Sequence, residues 1–238
     1  MYSLPCKVTT SLCDSEGRLK LVSALQMMQD CSELWIDSEP AVRDYFVREG
    51  MAQFLVSRQV EVLREPLFKE DLTVTTSVFE MRPMFGFRNT FIYDAQGRPC
   101  YRTWSTGAFV ELSTGRMKRI DDSVSAAMRL DPKLEMAYRD RHVLLPEAGE
   151  WQAGGPVRVM RSDIDYNRHM NNAQYVRVAM ELLPTGFDVR HMRVEYRTPA
   201  RLGCVLTPLI LQTQQAVYVK LQLGDTPAAV MEFSPERL

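Results

Sequence analysis

Residues 162–175 read S-D-I-D-Y-N-R-H-M-N-N-A-Q-Y, a run that gathers two carboxylates, an imidazole and several side-chain amides. Asp163, Asp165, Asn167 and His169 recur at every second position. On an extended backbone all four point to one side. Asn171 or Asn172 would then cap the helix that the following apolar pattern predicts. A helix N-terminus offers unpaired N–H groups and a partial positive charge. A row of polar groups delivered there suits a reaction that builds negative charge on an oxygen.

The elements that position this row are legible as a loose repeat. Near the start, a strand-like segment (residues 7–12) leads to C-D-S-E-G-R-L-K, and in the second half residues 157–161 lead to the polar row. Matching Asp14 to Asp163 and Glu16 to Asp165 gives an offset of 149 (163 − 14), which sets Arg18 and Lys20 against Asn167 and His169. The first copy therefore lacks the amide and the imidazole, and chemistry is expected in the second half alone. Each copy flows into a helical pattern, Leu21, Leu25, Met28 and Trp35 in the first and Tyr175, Val176, Ala179, Leu182 and Leu183 in the second, where Pro184 and Gly186 stop it. Strand-like alternation follows in both, with a hairpin signal at D-A-Q-G (residues 94–97) and a Gly-Asp turn at 224–225. Each half is thus a strand, a long helix and a meander of strands, an α+β arrangement with the helix against an antiparallel sheet. The stretch 121–155 is charged and helix-like, and the expected organisation is a first domain over 1–125, a linker over 126–152 and a second domain over 153–238. Met27, Met28, Trp35, Met81, Met84, Phe85, Phe87 and Trp104 supply the first half with bulk for an apolar binding cavity.

Composition narrows the field. A net charge of −1 over 238 residues is not that of a nucleic-acid or polybasic membrane binder. The five cysteines (Cys6, Cys13, Cys31, Cys100, Cys204) are scattered and lack C-x-x-C spacing, which suits reduced thiols in a cytoplasm. No targeting peptide or membrane-spanning run is expected. The three histidines (His142, His169, His191) lie far apart, so neither a metal centre nor a cofactor is predicted. His142 and His191 are expected to be exposed or structural, Glu195 and Arg197 surface or structural residues on a strand, and Cys204 a small apolar filler.

The stretch D-I-D-Y-N-R-H-M-N-N-A-Q-Y resembles the D-x-D-x-N-x-H-x-N-N-x-x-Y signature of the fatty acyl–acyl-carrier-protein thioesterases, the plant enzymes and their bacterial relatives. V-E-Y-R at 194–197 and V-E-L-S-T-G-R-M-K-R-I at 110–120 are similar to that family too. The resemblance implies a tandem (double) hot-dog fold, each half a long helix packed in an antiparallel β-sheet. It implies hydrolysis of the thioester of acyl-[acyl-carrier protein], releasing free fatty acid and terminating fatty acid synthesis. It carries the catalytic Asp, Asn and His of the family onto Asp165, Asn167 and His169. Plant members carry a Glu-Cys pair shortly after their E-Y-R, where this chain has Pro199 and Ala200. A mechanism that needs a cysteine nucleophile there has no residue to use.

In that chemistry Asp165 is the general base on water or the direct nucleophile. An aspartate in water is a weak base, so a base role calls for burial or a like-charged neighbour; Asp163 is either that neighbour or a hydrogen-bonding group that shapes the turn. Asn167 donates to a carbonyl oxygen or holds Asp165 and the water. His169 donates to the oxyanion or protonates the leaving thiolate, and N–H groups near Asn171 and Asn172 complete the oxyanion site. The implied partner, acyl carrier protein, is acidic, which makes Arg158, Arg161, Arg168 and Arg177 around the row candidate contacts. Each CH₂ of the acyl chain buried in a channel is worth about 0.8 kcal/mol, so channel depth can select length. Two other readings stay open: a hot-dog 3-hydroxyacyl-thioester dehydratase with His169 as base, and a non-catalytic acyl-thioester-binding sensor. Monomer and homodimer are both compatible with the sequence.

Overall fold

The computed structural model describes residues 1–236 as two compact units, Met1–Val56 with Leu63–Tyr138, and Ser57–Val62 with Arg139–Leu238. In the first unit the chain runs through β1 (Tyr2–Lys7), a 3₁₀ turn (Thr10–Leu12), α1 (Leu21–Leu34), a second 3₁₀ turn (Trp35–Ser38) and α2 (Pro40–Glu49). It continues through β2 (Met51–Val62), β3 (Asp71–Arg82), β4 (Phe85–Asp94), β5 (Pro99–Glu111) and α3 (Asp122–Ala127). The strand order is β1-β3-β4-β5-β2, and β2 gives its first half to this unit. The β1–β3, β3–β4 and β4–β5 pairs are antiparallel.

The predicted first helix is α1, which lies on β3 and β4. Its inner face buries Leu21, Leu25, Met27 and Met28, roughly 1.5–3 kcal/mol for each. The sequence reading has no counterpart for α2, which starts on Pro40 and stops at Gly50 in the left-handed conformation (φ 59°). The bulky residues assigned above to one apolar cavity divide between the two faces of the sheet. Trp35 and Met81 cluster with Val42 and Val78 beside the helices. Phe87 meets Phe79, and Trp104 meets Tyr138, on the opposite face. Alternation along β4 explains the split: Arg88 reaches Ser32 of α1, so its neighbour Phe87 must point away.

The second unit contains β6 (Gln152–Ala153), β7 (Val157–Arg158), a 3₁₀ turn (Arg161–Asp163), α4 (Asn172–Met180), β8 (His191–Tyr196), β9 (Val205–Gln212), β10 (Val217–Leu223) and β11 (Thr226–Ser234). Its sheet runs β2-β8-β11-β10-β9-β6, with β7 also paired to β9. Buried Ala173, Tyr175, Val176, Val178 and Ala179 seat α4 on the sheet. The helix ends at Met180, short of the predicted Leu182 and Leu183. Each unit is therefore a helix packed on an antiparallel sheet, and the chain is an α+β double hot-dog. Of the stretch 121–155, read as helix-like, Asp122–Ala127 is helical, and among the described residues no other helix lies in it. Among the described residues no helix is long and apolar enough to cross a membrane.

Candidate active site

The polar row is not extended. Its first part is the 3₁₀ turn Arg161–Asp163, and residues 165–169 form a tight turn closed by an antiparallel bridge between Ile164 and Met170. The Asp165 N–H donates to the His169 carbonyl at 3.0 Å, and the Arg168 N–H to the Asp165 carbonyl at 3.0 Å. Asp165 Oδ1 accepts the Asn167 N–H at 2.9 Å, an Asx turn. Aspartate and asparagine form such local bonds readily and so compete with strand structure. The predicted alternation is thereby replaced by a loop that gathers Asp165, Asn167 and His169 within one turn.

Asp163 does not join them. It is buried, with Oδ2 accepting the Met160 N–H at 2.8 Å and Oδ1 bound by Arg177 at 3.0 Å. Its charge is answered by Arg177, so of the two parts expected for it, a like-charged neighbour of Asp165 or a hydrogen-bonding group that shapes the turn, it takes the second. Its carbonyl also accepts the Asn171 N–H at 2.8 Å, so Asp163 ties the turn to the start of α4. Asp163→Ala is expected to lower stability by about 2 kcal/mol, because it removes a charge-assisted bond and orphans the Met160 N–H. Urea unfolding at pH 7 measures this, and a loss below ~0.5 kcal/mol would contradict it.

Asn171 is the N-cap of α4, its Oδ1 accepting the Ala173 N–H at 2.9 Å. The Asn171, Ala173 and Gln174 N–H groups are thus all engaged, the last by the Asn171 carbonyl. Among the described residues the Asn172 N–H has no acceptor, and neither the Asn167 side chain nor Asp165 Oδ2 has a hydrogen-bond partner. These three groups, with the half-buried His169, are what the turn and helix start can offer to a ligand.

Residues 198–200 pass beside the turn. The Ala200 carbonyl accepts the Met170 N–H and its N–H donates to the Tyr175 hydroxyl, both at 2.8 Å. Tyr196 donates to the Asn172 carbonyl at 3.0 Å and meets the Tyr175 ring edge-on at 5.8 Å. Burial raises the Tyr175 phenol pKa, the Ala200 N–H opposes this, and the nearby Cys204 and Asp165 charges raise it further. Burial likewise raises that of Tyr196 while Arg58 acts against it. The sequence reading missed both tyrosines as parts of the site, although Tyr175 closes the quoted motif and Tyr196 stands in V-E-Y-R.

The turn has a backbone twin in the first unit. Cys13 bridges Leu19, the Asp14 N–H donates to the Arg18 carbonyl, and the Gly17 N–H donates to the Asp14 carbonyl. The correspondence is therefore Asp14 with Asp165, Glu16 with Asn167, Gly17 with Arg168 and Arg18 with His169. The offset is 151 (165 − 14), a correction of two residues to the sequence alignment. The aspartate is common to both turns, while the amide and imidazole occur only in the second.

On the other face of β8, His191, Arg193 and Glu195 are buried under residues 139–143. Arg193 binds Glu232 at 2.8 Å and the Asp140 carbonyl at 2.7 Å, and Glu195 binds His142 and Arg197, each at 3.0 Å. Burial pushes the Glu195 carboxyl up, but the bonds from Arg197, His142 and the Val143 N–H together hold it below the usual range. His191 is completely buried, which leaves the structural of its two expected parts. Among the described residues no group of three or more His, Cys, Asp or Glu could hold a metal ion.

The model of the acyl-ACP thioesterase N-terminal domain matches residues 2–128, and that of the C-terminal domain matches residues 150–226. Among solved structures, a putative oleoyl thioesterase from Lactobacillus plantarum is 22% identical, with 98% of this chain and 94% of that chain covered and a TM-score of 0.81. An acyl-ACP thioesterase from Bacteroides thetaiotaomicron is 16% identical, covering 98% and 96% at a TM-score of 0.82. The 12:0-ACP thioesterase from Umbellularia californica is also 16% identical, covering 98% and 92% at 0.81. Among curated proteins no sequence matches the chain.

Proposed function

We propose, from the premise that this chain belongs to the acyl-ACP thioesterase family, that Asp165, Asn167 and His169 are its catalytic residues. Family membership carries the reaction: the protein is a thioester hydrolase that releases free fatty acid from acyl-[acyl-carrier protein] and so ends chain elongation. What supports the residue assignment is the contrast between the twin turns. The same backbone carries Glu16 and Arg18 in one unit, and an amide and an imidazole at the start of a helix in the other.

In the mechanism, Asp165 Oδ1 stays bound to the Asn167 N–H, while Oδ2 accepts a proton from the attacking water. The water oxygen bonds to the thioester carbonyl carbon, and the carbonyl oxygen becomes an oxyanion. The Asn167 amide and the Asn172 N–H at the positive end of α4 donate to that oxyanion. The oxyanion collapses and the C–S bond breaks; His169 gives a proton to the thiolate of the phosphopantetheine arm and regains one from the protonated Asp165, which restores both groups. No cysteine takes part. The enzyme works in the cytoplasm.

The test uses acyl carrier protein loaded with saturated or 3-hydroxyacyl chains, with free thiol and free acid followed together. Stoichiometric release of both, lowered about a hundredfold in His169→Ala, is the expected result. Loss of water without thiol release would instead identify a dehydratase, and binding without turnover a sensor.

A further inference from the structure

Position 168 is left-handed in the catalytic-turn geometry, with φ 62°, and its twin Gly17 has φ 76°. Glycine adopts this conformation freely, whereas an L-residue with a long side chain meets steric opposition. The first unit thus solves the turn with glycine, and the second places arginine at the same strained position, between Asn167 and His169. The fold gives nothing back for it: the Arg168 side chain is exposed and has no hydrogen bond or ion pair among the described residues. Two neighbouring arginines are already occupied. Arg177 is held by Asp163 and Gln174, and Arg158 donates to the Gly203 carbonyl at 3.5 Å. Strain of this kind gathers where a side chain is needed for function.

We propose that Arg168 is a docking residue for the acidic surface of acyl carrier protein, met as the acylated arm enters the site. This rests on the thioesterase reading above. The group is exposed and cationic, which fits an anionic surface and not the acyl chain. Arg161, also exposed and without a partner among the described residues, extends the positive face.

The experiment compares wild type with Arg168→Gly and Arg168→Lys, using acyl carrier protein substrate and, as inhibitor, apo-carrier that lacks the phosphopantetheine arm. Arg168→Gly is expected to raise both the KM for acylated carrier and the inhibition constant of apo-carrier about fivefold at low salt. The difference should shrink as ionic strength rises, and Arg168→Lys should regain most of it. The melting midpoint of Arg168→Gly should equal or slightly exceed that of wild type, since glycine relieves the backbone. Unchanged constants would overturn the proposal. So would a raised KM with an unchanged apo-carrier constant, which would put the contact on the phosphodiester, or a midpoint lowered by several degrees, which would make Arg168 a structural residue. If wild type releases no thiol from acylated carrier, it is the thioesterase reading that fails.

Discussion

Asp165→Asn is expected to cut kcat for acyl-carrier-protein hydrolysis by about three orders of magnitude, while Asp14→Asn in the first unit leaves it unchanged. The pair separates two tasks that one carboxylate performs. Asp165 Oδ1 closes the Asx turn by accepting the Asn167 N–H at 2.9 Å. Asp14 Oδ1 does the same for the Glu16 and Arg18 N–H groups, both at 2.9 Å. An asparagine keeps a carbonyl oxygen in that place, so the turn survives either substitution. What asparagine removes is the basic oxygen pointing away from the turn. A thousandfold loss corresponds to about 4 kcal/mol of barrier, within what one positioned base supplies. Thiol release at saturating substrate gives kcat, and circular dichroism with melting midpoints establishes that both variants fold. A kcat for Asp165→Asn within tenfold of wild type would exclude Asp165 as the base.

The residues proposed for the site stood out in the sequence, and their geometry did not. An alternating D-x-D-x-N-x-H reads as a strand, but each Asp and Asn can also bond its own backbone two residues on. Asp165 does so, and the strand gives way to a turn. The same ambiguity shifted the repeat. Matching acids to acids set Asp14 against Asp163, whereas the true marker is the left-handed residue, Gly17 in one turn and Arg168 in the other. Glycine announces such a position and arginine conceals it.

Asp163 stood out as a carboxylate within the motif, yet its buried bond to Arg177 fourteen residues on marks it as a support of α4. Strand alternation was a better guide. It predicted the meanders, and the hairpin at 94–97 closes with the Gly97 N–H donating to the Asp94 carbonyl at 2.9 Å. It could not say that residues 139–143 cross over β8, since contacts such as Arg193 to the Asp140 carbonyl span more than fifty residues. A histidine on that face of β8 therefore read as either exposed or structural.

That histidine governs the second large expected effect. His191 has no accessible surface, and among the described residues neither ring nitrogen has a hydrogen-bond partner. Two arginines oppose protonation, while the buried Glu61 is the cross-strand partner of His191 on β2. Arg193 lies two residues along the same strand, and Arg139 comes from the covering segment. Burial foremost, and then these two guanidinium groups, push the His191 pKa from 6.5 down to about 3. The folded protein therefore keeps the ring neutral where the unfolded chain would protonate it. The unfolded state binds the extra proton between pH 6.5 and about 3, so stability rises with pH across that window and is lost as pH falls. The slope from this one group approaches ~1.4 kcal/mol per pH unit.

Between pH 6.5 and 4.5 wild type should accordingly lose about 2–3 kcal/mol, a large share of a typical domain's stability. Glu195 adds to the loss only lower, since its depressed carboxyl contributes stability above its unfolded value of 4.5 and loses it as pH falls through the folded one. His191→Leu removes the titration together with two unpartnered buried nitrogens, and should flatten the upper part of the profile without destabilising the protein at pH 7. His191→Gln, neutral and polar, keeps the test available if leucine packs poorly. Urea unfolding at pH 7, 6 and 5 reads the slopes. If both variants fold and lose stability on acidification as steeply as wild type, the buried ring is not the source of the acid sensitivity.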